Sequence, residues 1–496
     1  MKKALLLIGT SALFSMGYGQ YSTPKTGVNW NMDSLVVRSG GVVVSTPEGY
    51  RIKADLTIDS TDILSILEDT KITLDSMVLF TVSKSTFIVN PPISILFTAT
   101  DTTKNFKGFR FADTPNASIK KATIEFGGGI RVSAADVLFD NCIFRKNSKS
   151  YTSGAIDITS GNPVIINSLF HHNERAAISS GANLPAAPII RNNMIYSNVT
   201  DNSNRPQINL GPSGPNDTTI IVGNTITGEF PVSGGISFSS LLGTPGNAII
   251  DSNIIRGNRY GITSTGANLF TKIRYNIIED NNIQNNPTLG GSGISFQSAG
   301  GNNNSIVAYN EIRRNLWGIT IIGQATPNLG DNTIQSPGFN VIENNMNAQL
   351  GDLFNNTPLD IYAMNNCWGG TIDSVDIEEF ISHDVDDTAL GHVYFMPAWD
   401  CYNTLGIADG QVTEEGALFP NPASDLVYLH SDNSNSTSYL DVSIVTVTGS
   451  IISQQRYPSV AGQIQIPVSE LKPGVYFIRV MNGDKNNKTH RLLINR

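Results

Sequence analysis

Charge is scarce in this chain: Asp, Glu, Lys and Arg make up only 15% of 496 residues. Gly, Asn, Ser and Thr stand in their place, which suits turns and hydrogen-bonded ladders better than charge-covered helices. The net charge of -9 argues against nucleic acid or an anionic membrane surface as a partner. Cysteine is nearly absent. Three residues, Cys142, Cys367 and Cys401, cannot build a disulfide framework, although Cys367 and Cys401 have the right context to pair in an exported protein. Long apolar runs are also missing, with one exception at the start. Lys2 and Lys3 precede an apolar stretch from Ala4 to Met16, and Gly17-Tyr18-Gly19 supplies small residues for cleavage. Residues 1–19 therefore read as a secretory signal peptide, too short to span a bilayer, and no transmembrane segment is expected elsewhere.

What the chain has in quantity is repetition. Gly or Ala followed by Ile recurs at Gly129-Ile130, Ala155-Ile156, Ala177-Ile178, Gly235-Ile236, Gly261-Ile262, Gly293-Ile294 and Gly318-Ile319, with Gln207-Ile208 as a weaker copy. A second signature, an apolar pair then Asn-x-Ile-x-x-Asn, runs through Asn193/Asn198, Asn253/Asn258, Asn276/Asn281 and Asn310/Asn315. The closing positions 147, 173, 198, 229, 258, 281 and 315 lie 23 to 34 residues apart, too irregular for helical hairpins but natural for short strands joined by loops of free length. Each coil would stack about 4.8 Å above the last, placing Ile over Ile and Asn over Asn. The Leu spacing of leucine-rich repeats is missing. Cys142 falls where other coils carry Ser168, Asn193 or Asn224, so it reads as buried and free.

On these two ladders the chain resembles the right-handed parallel β-helix superfamily, the pectate-lyase-like fold, over residues 49–370. The fold class expected is all-β, a right-handed parallel β-helix solenoid with a C-terminal β-sandwich. Residues 20–48 show no ladder phase and read as an N-terminal cap over an edge that would otherwise aggregate. Residues 371–410 read as the second cap and linker, including a helix from Ser374 to Ser382 with Ser374 as its N-cap. Residues 411–496 change grammar. Pro420-Asn421-Pro422 opens a series of alternating strands, Leu471-Lys472-Pro473-Gly474-Val475-Tyr476 follows, and a strand from Lys488 to Asn495 closes it. That stretch resembles the C-terminal sorting domain of the type IX secretion system of Bacteroidota. The resemblance implies the type IX machinery as a partner, export across the outer membrane, and a secreted or cell-surface destination.

Chemistry is harder to locate. In the superfamily it sits on a groove along one sheet. Outward residues before each closing Asn would stack as Arg145, His171, Tyr196, Arg256, Glu279 and Arg313, and Arg256, Glu279 and Arg313 are the candidate catalytic set: a uronate lyase needs a cation against the carboxylate and a base beside it. The alternative is an exposed ion-pair ladder. The paired Asp residues and Gly-His-Gly turn of an inverting polygalacturonase are absent. Tyr260 and Trp317, each just before a coil's Gly, are candidates for stacking on a sugar ring. His383-Asp384-Val385-Asp386-Asp387 is the one stretch suggesting Ca²⁺, without the glycine and distal Glu of a calcium loop, so neither metal nor other cofactor is expected. Three functions remain: a non-catalytic glycan-binding or adhesive protein, a secreted lyase or hydrolase acting on uronate polysaccharide, or a structural coat component.

Overall fold

The computed structural model describes residues 19–182, 184–345, 351–402, 418–419, 421–430, 438–446, 450–460, 463–481 and 487–494. Residues 1–18, nearly all of the expected signal peptide at 1–19, and the stretch 403–417 lie outside the described residues. The chain forms two units, Met1–Thr404 and Leu405–Arg496.

The first unit is a parallel β-helix whose coils each lay down three strands, one per face. In one coil these are Gly234–Ser240 on a first face, Gly246–Asp251 on a second and Ile254–Arg256 on a third. Each pairs in parallel with the next coil, placing Ile236 beside Ile262, Ile250 beside Ile273 and Ile255 beside Ile278. The repeated isoleucines form one file: Ile130, Ile156, Ile178, Ile208, Ile236, Ile262, Ile294 and Ile319 are successive lateral neighbours. All are buried. At roughly 1.5–3 kcal/mol for each buried side chain, the file supplies a core that no isolated coil possesses. Earlier coils fill the same interior with Phe80, Phe109, Phe111 and Phe139, whose rings meet edge-on or tilted.

In most of the middle coils two corners adopt the left-handed backbone region, which L-residues other than Asn disfavour. Ser252 (φ 58) and Gly257 (φ 63) turn one coil, and Tyr275 (φ 58) and Asp280 (φ 56) turn the next. Each corner is followed by a buried Asn that holds it. The side-chain oxygen of Asn253 accepts from the backbone N–H (2.9 Å) and the amide of Asn224 (3.0 Å), while its own amide donates to Asn276 (3.0 Å) and to the Ile221 carbonyl (2.9 Å). The same pattern runs from Asn193 to Asn366 along one edge. Cys142 occupies this edge two rungs earlier, its N–H donating to Ser168, and it is buried and unpaired.

Along the other edge Asn147, Asn173 and Asn198 link upward, and Asn258, Asn281, Asn315 and Asn345 link above them. Position 229 between them is Glu and takes no part in the ladder as described. The rung is supplied by Gln207, the weak member of the isoleucine signature. Its side-chain oxygen accepts from Asn198 (3.0 Å) and its amide donates to Asn258 (3.1 Å) and the Thr227 carbonyl (2.8 Å). The last rung is Asp352, whose carboxylate accepts from the backbone and amide of Asn345 (3.1 and 2.9 Å).

The ends differ from the sequence expectation in detail. Within 20–48, Tyr21–Ser22 and Asn29–Trp30 already pair with the first coil, so ladder phase begins before residue 49. Helix α1, Met32–Arg38, then closes the end with an Asn31/Ser34 capping box and buries Met32 and Leu35. Val43–Thr46 runs antiparallel to Gly49–Ile52, which halts parallel stacking at that edge. At the far end helix α2 is only Ser374–Glu378, and its N-cap is Asp373, not Ser374. Ile381–Ser382, expected inside the helix, returns to the first face beside Leu353 and Phe354. Cys367, on the final strand of the third face, is disulfide-bonded to Cys401 with their Cα atoms 5.7 Å apart. No helix among the described residues is long and apolar enough to cross a membrane.

The second unit is a seven-stranded antiparallel sheet around one core of Val427, Val442, Ile444, Ile464, Ile466, Ile478 and Leu492. The strand Ile451–Val460 pairs along its length with Ser438–Thr446 but meets Gln463–Pro467 only at its end.

Removing the borrowed rung tests this account. Gln207→Ala leaves the Asn198 and Asn258 groups without buried partners and is expected to cost about 2–4 kcal/mol, read as a lowered unfolding midpoint. Asp352 gives a second test. Burial pushes its carboxyl from 3.8 up to about 6, against the Asn345 hydrogen bonds. The folded state therefore holds this proton more tightly than the unfolded chain, and the contribution to stability falls as pH rises from about 4 to about 6. Asp352→Asn is expected to flatten that slope and to raise stability at pH 7.5 by on the order of 2 kcal/mol, measured by thermal unfolding across pH.

Candidate functional site

Alternation along the first-face strands turns the residue after each isoleucine outward. In the middle coils these are Asn209, Ser237, Thr263 and Ser295, lateral neighbours in that order. They floor an open groove of about 500 Å³. Strand spacing of about 4.8 Å sets four such residues over about 14 Å along the axis. Among the described residues, the side chains of these four make no hydrogen bond to protein. The walls come from the loops flanking these strands: Arg205, Arg259, Tyr260 and Leu289 precede them and Leu241 follows, with Leu241 and Leu289 exposed at the rim.

Tyr260 lies where the sequence puts a ring-stacking residue. Its ring covers Gly234, where a Cβ would come within 2.1 Å of the ring carbon Cζ, so glycine is required there for the tyrosine to lie flat. Burial pushes the phenol up to about 12, opposed by neighbouring Arg259, and it stays a neutral hydroxyl. Trp317 is not part of this groove. Its indole stacks on Phe354 (5.2 Å between centroids) and its N–H donates to the Pro287 carbonyl (3.1 Å), so it covers the solenoid wall.

Arg256, Glu279 and Arg313 do come together, on the third face, in a file that runs Arg145, His171, Tyr196, Thr227, Arg256, Glu279, Arg313, Glu343. Glu279 lies 3.9 Å from Arg256, 3.5 Å from Arg313 and 2.7 Å from Arg314. Arg313 also pairs with Glu311, and with Glu343 at 3.8 Å. Each cation faces a carboxylate and each carboxylate a cation. They lie on strands only three residues long, on a different face from the groove. In the same file the imidazole of His171 stacks on Tyr196 (5.2 Å), and its Nδ1 lies 3.0 Å from that of His172.

The acidic stretch at 383–387 is tied into the cap. His383 is fully buried; its Nε2 meets Glu378 (2.6 Å) and its Nδ1 accepts the Val393 N–H (3.1 Å). Asp386 accepts the backbone N–H of His383. His383, Asp384 and His392 bring ligand atoms within 4.8 Å of one another, but the Val393 bond already takes the His383 lone pair on that side.

The groove's hydroxyl floor escaped sequence reasoning, because Ser and Thr at outward positions look like ordinary solvated surface. The available signal was that Asn209, Ser237, Thr263 and Ser295 each follow a repeated isoleucine in the coils where charge disappears. Also unanticipated was a stack of corner rings, Tyr275 on Tyr309 (4.9 Å) and Tyr309 on Phe339 (5.7 Å).

Comparison with known proteins assigns the two units differently. Residues 417–495 match the family described as secretion system C-terminal sorting domain. Residues 214–372 match a family described as protein of unknown function (DUF1565). No curated protein matches the chain. A solved structure, the Siphovirus 9NA tailspike receptor binding domain, is 11% identical across 89% of this chain and 95% of its own, with a TM-score of 0.20. The chain is thus a parallel β-helix protein carrying a type IX sorting domain. It engages the type IX secretion machinery and is exported to the cell surface or beyond.

If the third-face file is a structural ion-pair ladder, Glu279→Gln changes stability by only about 1 kcal/mol at low salt, and less in concentrated salt. Denaturant unfolding at two salt concentrations checks this.

Proposed function

We propose that the exported β-helix is a non-catalytic glycan-binding protein of the cell surface or its surroundings, and that the first-face groove is its binding site. The observation that carries this reading is the floor of Asn209, Ser237, Thr263 and Ser295: four donor–acceptor side chains, unengaged by protein among the described residues, in file on a rigid sheet. Sugars present hydroxyls in rows and apolar ring faces between them. A floor of short hydroxyl and amide groups meets the first, and Tyr260 with the rim residues Leu241 and Leu289 meets the second. An open groove that runs across four coils accommodates a chain better than a single sugar.

The lyase reading has less support. Its acid–base candidates Arg256, Glu279 and Arg313 neutralise one another on a different face from the groove floor, whereas a catalytic base must reach a bound proton. A structural coat role leaves an unengaged polar floor without purpose.

Purified chain applied to an array of polysaccharides is expected to retain a subset of them, with Tyr260→Ala weakening retention about tenfold and Trp317→Ala leaving it within a factor of two. Incubation with uronate polysaccharides is expected to yield no unsaturated product absorbing in the ultraviolet. Appearance of such product restores the lyase reading, and retention of no glycan removes the binding one.

A further inference from the structure

Arg259 is the anomaly of the first unit. It is 8% exposed, yet among the described residues no carboxylate lies within ion-pair distance of it. Of the five N–H groups in its guanidinium fork, one donates to the side-chain oxygen of Asn204 and one to the Leu289 carbonyl, both neutral acceptors. Its Nε is buried with no partner. Burying a cation without a counter-charge costs several kcal/mol, and the partly buried Arg131, Arg175, Arg274 and Arg313 each face a carboxylate.

Arg259 lines the groove, and so does Arg205, half-buried and likewise without an ion pair among the described residues. No Asp or Glu lines the groove at all. Two uncompensated cations thus border a neutral hydroxyl floor. The chain as a whole carries a net charge of -9, so this local excess runs against its overall sign.

Resting on the glycan-binding reading, we infer that the groove selects an acidic saccharide, its carboxylate or sulfate bound by the Arg259 and Arg205 guanidinium groups while its hydroxyls lie over Asn209, Ser237, Thr263 and Ser295. The arriving anion supplies the counter-charge that the fold omits. A planar fork matches a carboxylate or sulfate in two-point contact, which an ammonium group does not reproduce.

The test is calorimetric titration of the full chain with three probes of equal length: a uronate oligosaccharide, its carboxyl-reduced neutral counterpart, and a sulfated oligosaccharide. At least one acidic probe is expected to bind ten- to a hundredfold more tightly than the neutral one, and the difference to shrink as salt is raised. Arg205→Gln is expected to lose about tenfold of that preference, and Arg259→Gln nearly all of it. Arg205→Gln keeps the test informative if Arg259→Gln fails to fold. Equal binding of acidic and neutral probes overturns this inference but leaves glycan binding standing; binding of none of the three overturns both. Preference for the uronate over the sulfated probe, or the reverse, identifies which acid the site reads.

Discussion

The structure depends on a buried amide that answers a strained corner. Each coil must turn sharply between short strands, and it does so through left-handed residues that are unfavourable for Ser252, Tyr275 or Asp280. The turn leaves backbone N–H groups facing the interior, where an unmet donor costs about 1–3 kcal/mol. An Asn in the next position of the neighbouring coil meets both the backbone N–H and the side-chain amide below it, and passes its own to the next. The isoleucine core supplies the magnitude of stabilisation; the amides fix where each coil must bend, and so which residues the outer faces present.

That division explains the placement of chemistry. The third face is pinned between two amide edges, leaving strands of three residues and room only for paired charges in file. The first face begins after a loop of unconstrained length. Its strands are longer, reaching twelve residues at Ser292–Asn303, and the loops rise as walls. The groove with the polar floor forms there, and Tyr260, Arg205 and Arg259 all belong to it.

Much of this was legible in the sequence because both ladders repeat in type as well as in spacing. Ile236, Ile262 and Ile294 announced their file, and Asn253, Asn276 and Asn310 theirs. The rung at 207 was hidden because its residue comes from a different strand than the other rungs, and no periodicity marks a substitution in space. Ser374 resembled a cap as well as Asp373 does, one residue away, and only backbone geometry separates them. Arg256, Glu279 and Arg313 were read as neighbours, as they are. What spacing could not convey was that Arg313 and Arg314 would gather further carboxylates from Glu343 and Asp280. Arg259 drew no attention, since nothing in its immediate sequence tells a buried side chain from a solvated one.

Asp352 gives the solenoid a chemical full stop. Every amide in the relay both receives and hands on, as a growing polymer end does, whereas an ionised carboxylate only receives. The relay on that edge therefore closes inside the fold, where the backbone N–H of Asp352 turns to the Phe380 carbonyl and Ile381–Ser382 lies over the coil with no amide left to hand forward.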